Sequence, residues 1–303
     1  MAFAQGSRSG LAYVTESSFG TRSSNNLIDL PYTTHSLDLV KQRVQGNDIL
    51  ADRIPRVDRH GNRNVVGDIV CDLRVGDYDD LLESAFFSSF GSAPGSTMVA
   101  ATTPQYLTIE DRALDITQYR LFSGCAVSRM SVSIRPNQMV TATFSIIGQN
   151  MTQSGTSVDA SPTAASGNEP FDAYSGSISD GGSPIAVVTG IDFSIDNSLN
   201  PTFVVGSATT PQLEYGLAVV EGTVTAYYEN ATLLNKFLNE TASSISVVVN
   251  DAASGGSYTF DFPNVKYNGG SVPVENPQSR VITLPFVALY NSGIGSNIKV
   301  TRS

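Results

Sequence analysis

The sequence predicts a mainly β protein built as two tandem modules, each with a short flanking α-helix. Three observations carry that expectation. Apolar and polar residues alternate over many short runs, which is the period of a half-buried strand. At 303 residues the chain is long for one domain and comfortable for two of about 150. A strand, turn and helix passage is also written twice, as "VVGDIVCDLRVGDYDDLLESAF" (65–86) and "VVEGTVTAYYENATLLNKFL" (219–238).

The first module, with an N-terminal arm, is assigned to residues 1–150. Its opening strand is "SLDLV" (36–40). A long connection, "GNDILADRIPRVDRHGNRN" (46–64), leads to a strand with Ile69, Cys71 and Leu73 on one face and Asp68, Val70 and Asp72 on the other. Leu81, Leu82 and Phe86 then form one apolar stripe on a short helix. Asp79 or Asp80 is placed to cap that helix by accepting free backbone amides. The stretch "FSGCAVSRMSVSIRPNQMVTATFSIIGQN" (122–150) reads as two strands around a Pro-Asn turn. Met130, Val132 and Ile134 alternate on the first, and Val140, Ala142, Phe144 and Ile146 on the second.

Residues 151–184, crowded with Ser, Gly, Ala and Pro, form a linker or long surface loop. The second module, with a C-terminal arm, spans 185–303 and repeats the order. Pinning Gly67 on Gly222 sets Ile69, Cys71 and Leu73 over Val224, Ala226 and Tyr228. "GIDFSI" (190–195) then lies over the opening strand, pairing Leu37, Asp38 and Leu39 with Ile191, Asp192 and Phe193. Leu233, Leu234 and Phe237 or Leu238 answer the helix stripe, and "FPNVKYNGGSVPVENPQSRVITLPFVALYN" (262–291) answers the paired strands. Alternating apolar residues arise easily by chance, so no single segment decides the matter. The shared order and spacing of four segments points to an internal duplication. The first 30 residues and the last dozen are turn-rich and read as arms rather than core.

Charge and composition narrow the function. With 41% hydrophobic and 15% charged residues, the chain is neither a disordered polymer nor a charge-rich helical bundle. Eighteen basic against 28 acidic residues leave it at −10, a balance opposed to ordinary nucleic-acid binding, where Lys and Arg displace counterions. No run approaches the roughly 18 apolar residues of a membrane helix, and the start "MAFAQGSRSG" lacks the apolar core of a signal peptide. The expectation is a soluble product, with no membrane association. Cys71 and Cys125 fall where small apolar strand residues would serve and are expected as buried free thiols.

Catalytic, metal and cofactor sites find little support. There is no Gly-x-Ser-x-Gly elbow, no phosphate loop and no dinucleotide fingerprint. His35 and His60 are the two histidines, too few for a zinc site or a His-based triad. "GDYDD" (76–80) resembles a calcium-loop fragment but lacks the remaining ligands and the closing Glu. No cofactor is expected. The connection at 46–64 stands out instead, holding Arg53, Arg56, Arg59 and Arg63 among Asp48, Asp52 and Asp58. It reads either as a solvated loop of compensating charges or as a docking arm, because guanidinium groups bond carboxylates of a partner in fixed orientations.

The run from Leu30 to Phe86 resembles the major tail tube proteins of long-tailed, siphovirus-type bacteriophages. The likeness is carried by the Ser-Leu strand, the Arg-rich connection with Asp52-Arg53, and the spacing V-x-G-x-I-x-x-x-L-x-x-G-x-Y-D-x-L-L-E from Val65 to Glu83. "VEGTVTAYYEN" and "PFVALYN" also fit, so the resemblance covers most of the chain. It implies a β-sandwich or small barrel in each module, and rings in which strands join side by side around a lumen. Typical members carry one such module per chain and form hexamers, so two modules imply a ring of three chains, with six as the alternative. The resemblance also implies stacked rings, with the Arg-rich connection docking between them through Arg53, Arg56, Arg59, Arg63, Asp52 and Asp58. Its partners would be tail terminator, tape measure and distal tail proteins, in a virion tail assembled in the host cytoplasm.

Negative charge gains a purpose in such a tube, since an acidic wall keeps passing DNA from sticking. Asp38, Asp68, Asp72 and Asp192, on polar strand faces, are the lumen-facing candidates; ordinary solvated outer positions are the other reading. A phage surface or adhesin-like carbohydrate-binding β protein is the alternative function, and would show a monomer or compact trimer with an exposed aromatic groove.

Overall fold

Alternating Thr, Ser and Val with larger apolar residues commits this chain to sheets with one wet and one dry face. The computed structural model describes residues 3–48, 51–52, 54, 56–92, 95–185, 187–251, 255–274 and 277–303. It is mainly β, with 51% strand and 6% helix. The longer elements of the first half are β1 (Ser9–Ser18), β2 (Asp38–Gln45), β3 (Asp58–Asp72), α1 (Asp79–Phe86), β4 (Ser96–Val99), β5 (Leu107–Ala113), β6 (Gln118–Ile134), β7 (Thr141–Gly148) and β8 (Asn150–Ser154). Those of the second are β9 (Ser177–Asp180), β10 (Val188–Asp196), β11 (Val219–Tyr227), α2 (Thr232–Leu238), β12 (Ser243–Asn250), β13 (Ser257–Tyr267), β14 (Val281–Ala288) and β15 (Lys299–Arg302).

One antiparallel ladder runs through the chain in the order β2, β3, β7, β6, β10, β11, β14, β13. Each half thus contributes the same local sequence of neighbours. The junction between them is the pairing of β6 with β10, from Ile134 opposite Ile191 to Arg129 opposite Asp196. The first part of β6 leaves this ladder and pairs with β5 and β8, while β5 pairs with β1. In the second half β13 likewise pairs with β12 and β15.

A continuous apolar core lies behind the ladder and draws on both halves. The period of two is visible in β7, where Ala142, Phe144 and Ile146 are buried and Thr141, Thr143 and Ser145 are not. Phe193 meets Phe260 and Phe262 at ring distances of 5.0 and 5.1 Å. Helix α1 buries Leu81, Leu82, Ala85 and Phe86, and ends where Phe87 turns left-handed and gives its N–H to the Glu83 carbonyl. Helix α2 sits shallower, with Leu233, Leu234 and Phe237 half-buried and Leu238 exposed.

Several expectations are corrected here. Parts of both turn-rich end segments are core rather than arms, since Leu11 to Val14 of β1 and Val300 of β15 are buried. Asp79 and Asp80 stand inside the first turn of α1 and do not cap it; the Tyr78 side chain at the cap position makes no capping bond either. Asp79 instead takes Arg302 and the Tyr258 hydroxyl, tying α1 to the second half. The connection at 46–64 is not all loop, because Asp58, Arg59 and Arg63 belong to β3 and pair with β2. Segment 151–184 is anchored, with Phe171 buried and its N–H and C=O bonded to Leu73 and Val140 at 2.8 Å each.

The alignment of the two opening strands also shifts. Phe193 stands opposite Gly222, whereas the register of β2 and the bridge at Thr34–His35 put Leu37 opposite Gly67. Leu37 therefore corresponds to Phe193, two residues from the sequence-based pairing. Close packing at the two glycines agrees with this alignment. A Cβ on Gly67 would lie 2.5 Å from the Ser36 carbonyl oxygen, and one on Gly222 2.6 Å from that of Asp192.

Candidate functional site

Because side chains opposite each other in a ladder share a face, the register decides what the wet face carries. Across it runs the row Asp72, Thr141, Ser133, Asp192, Thr223 and Pro285. The next row but one on that face holds Asp68, Ser145, Arg129 and Asp196. Asp38, opposite Val66, lies on the same side. All four acidic positions expected from the sequence thus share one face. The face dishes into a hollow of about 470 Å³, lined by Arg129, Ser133, Thr141, Asp192, Glu221 and Thr223 among others.

The electrostatics are less uniform than a bare acidic wall. Asp192 is held by Arg135 and accepts a 2.7 Å bond from the Ser133 hydroxyl. Asp38 lies 3.7 Å from Arg120. Asp68 and Asp72 have no ion-pair partner among the described residues. The register adds Asp196 and Glu221 to the acidic side and Arg129 and Lys266 to the basic side, and the ion pair with Asp192 adds Arg135. Sequence reading missed these because nothing before the register tells which face of each strand joins which.

The second feature is the hairpin of β2 and the outer part of β3. It projects with Val40, Val44, Ile54 and Val57 between 42% and 64% exposed. Arg43 bonds Asp58 at 2.8 Å, and Arg56 pairs with Asp52. Arg59 is exposed. Arg63 is partly buried, and its N–H donates to the Ala208 carbonyl at 2.8 Å, so it braces the hairpin against the 197–218 segment. Arg53 lies outside the described residues. The exposed apolar side chains at the tip were overlooked beside the arginines, although Ile54 and Val57 stand out in a charged run.

Buried titratable groups elsewhere serve the scaffold. Burial raises the Glu16 carboxyl, against bonds from Thr108 and the Gly124 and Gly20 amides. Burial pushes the Cys71 thiol up to about 12, and both cysteines are free and buried. His35 lies 3.5 Å from Asp111, which also pairs with Arg120 at 2.7 Å. Among the described residues no cluster of His, Cys, Asp and Glu could hold a metal ion, and no helix is long and apolar enough to cross a membrane.

The family model for phage tail tube protein covers residues 6–288. No curated protein matches the chain.

Proposed function

The chain belongs to the phage tail tube protein family, structural proteins of the virion tail, and we propose that it forms stacked rings of three copies around a DNA channel. In this reading the two halves are duplicated tube modules that fill six positions in pseudo-sixfold symmetry; six copies per ring is the alternative. The observation that carries it is the single ladder from β2 to β13, wet on one face and without a further strand partner along β2 among the described residues. An isolated chain would leave such edges open to uncontrolled pairing, and closure into a ring removes them.

The wet face lines the bore. Ser and Thr keep it hydrated, and its acidic excess repels the phosphates of passing DNA over about 8 Å at physiological salt. DNA passes without specific binding. The projecting hairpin docks on the next ring, its exposed apolar tip supplying contact area and Arg56 and Arg59 orientation. Tail terminator, tape measure and distal tail proteins meet the tube ends or bore, and assembly takes place in the host cytoplasm. Electron microscopy of the purified protein tests this reading. Rings or tubes are expected; discrete particles without a bore would overturn it and favour the carbohydrate-binding alternative.

A further inference from the structure

The junction inside the chain specifies a second one that the chain cannot make alone. At the inner junction the outer edge of β6 receives β10. Each half repeats one order of neighbours, so β2 is the counterpart of β10, and the segment continuing β13 is the counterpart of late β6. The two outermost edges of the chain are therefore complementary in kind.

The glycines transfer the register. Leu37 corresponds to Phe193 through Gly67 and Gly222, so Asp38 corresponds to Ser194. Ile146 faces Gly67 and Phe286 faces Gly222, which makes Thr143 and Thr283 equivalent. Ser131 is opposite Thr143 and Ser271 is opposite Thr283, so Ser271 corresponds to Ser131 and Val274 to Ile134. Since Ser131 faces Ser194 at the inner junction, we propose that Ser271 of one copy faces Asp38 of the next, β2 and the residues before it adding to the 271–274 edge in the register the chain uses between its own halves. This rests on the tube reading above and fixes its lateral contact.

Backbone and burial both favour a second copy as the occupant. Ser271 and Thr283 exchange both backbone bonds, at 3.1 and 3.0 Å, so alternation turns the N–H and C=O of Val272 outward. The Val272 carbonyl takes the Arg280 side chain at 2.6 Å and keeps a lone pair for an incoming amide. Ile134 is 7% exposed at the inner junction, whereas its counterpart Val274 is 73% exposed. Ile195 is likewise buried, while its counterpart Leu39 is only half-buried. A neighbouring copy would cover the apolar groups that the chain's own second half covers inside.

The test is a cysteine pair, Asp38→Cys with Ser271→Cys. The two positions would form a non-hydrogen-bonded pair with Cα atoms about 4.5 Å apart, within disulfide reach. Ser36→Cys with Ser271→Cys is the control, two residues out of register. After oxidation of assembled rings, a denaturing gel should show closed covalent trimers for the first pair, with about tenfold less cross-linking for the control. Mixing the two single variants should give covalent dimers, which guards against a double variant that assembles poorly. Cys71 and Cys125 are buried and add no background. Rings that form without this cross-link, or that cross-link equally well in the control, would overturn the register and leave the tube standing. Absence of rings from the unsubstituted protein would overturn the tube and this contact together.

Discussion

Strand spacing normally leaves room for a Cβ, and at Gly67 and Gly222 it does not. Replacing either by Ala forces a methyl group onto a backbone carbonyl, and at Gly222 also to 2.4 Å from the Phe286 ring. Each variant should lose about 1–3 kcal/mol, read from chemical denaturation. Gly6→Ala, with nothing within 4 Å, should lose far less. The sequence pairs these two glycines, but the strands before them stand two residues from the expected alignment. A slip of two keeps every side chain on its face, so alternation alone cannot detect it. Titration offers another residue-scale test. Burial raises the Asp111 carboxyl, but His35 and Arg120 outweigh it and hold it below the usual carboxylate range. Its stabilisation is therefore complete above the unfolded value near 3.9 and lost as pH falls through the lowered folded value, about pH 4 and below. Glu16, raised by burial, has the opposite sign and costs stability as pH rises through the range just above about 4.3. Denaturation midpoints across this range should show a shallower acid decline for Asp111→Asn than for the parent protein; equal slopes would remove Asp111 from the account.

At the scale of elements, the hairpin of β2 and β3 separates what sequence could give from what it could not. Clustered arginines marked a segment with work to do. Its charge-rich look concealed that Asp58, Arg59 and Arg63 were already strand, because polar residues carry little strand signal and the pairing with β2 decides. Arg56, exposed and paired with Asp52 four residues away, is the cleaner probe of docking. Arg56→Glu should stop stacking at short tubes or single rings while the thermal midpoint and far-ultraviolet circular dichroism stay unchanged. Tubes of ordinary length would remove the docking role. The two helices differ for a related reason. Both stripes were readable, but only that of α1 is buried, packed mainly against β6, and Asn197 from the second half bonds the Ala85 and Val127 carbonyls beside it at 2.8 and 3.2 Å.

For the whole molecule, the mainly β class was legible, since it rests on the period of the apolar residues. The single ladder was not, because long-range pairing between β6 and β10 leaves no local mark in the sequence. Its geometry predicts a bore. Eight ladder strands per chain, about 4.8 Å apart and tilted by about 40°, give a wall roughly 48 Å across between backbones for three copies and about twice that for six. Cryo-electron microscopy of the assembled protein therefore tests the central claim most directly. Three chains per ring, a wall of the smaller diameter and Asp68, Asp72 and Glu221 facing inward are predicted. Six chains in a wider ring, or sheets that close within each chain around no channel, would contradict it.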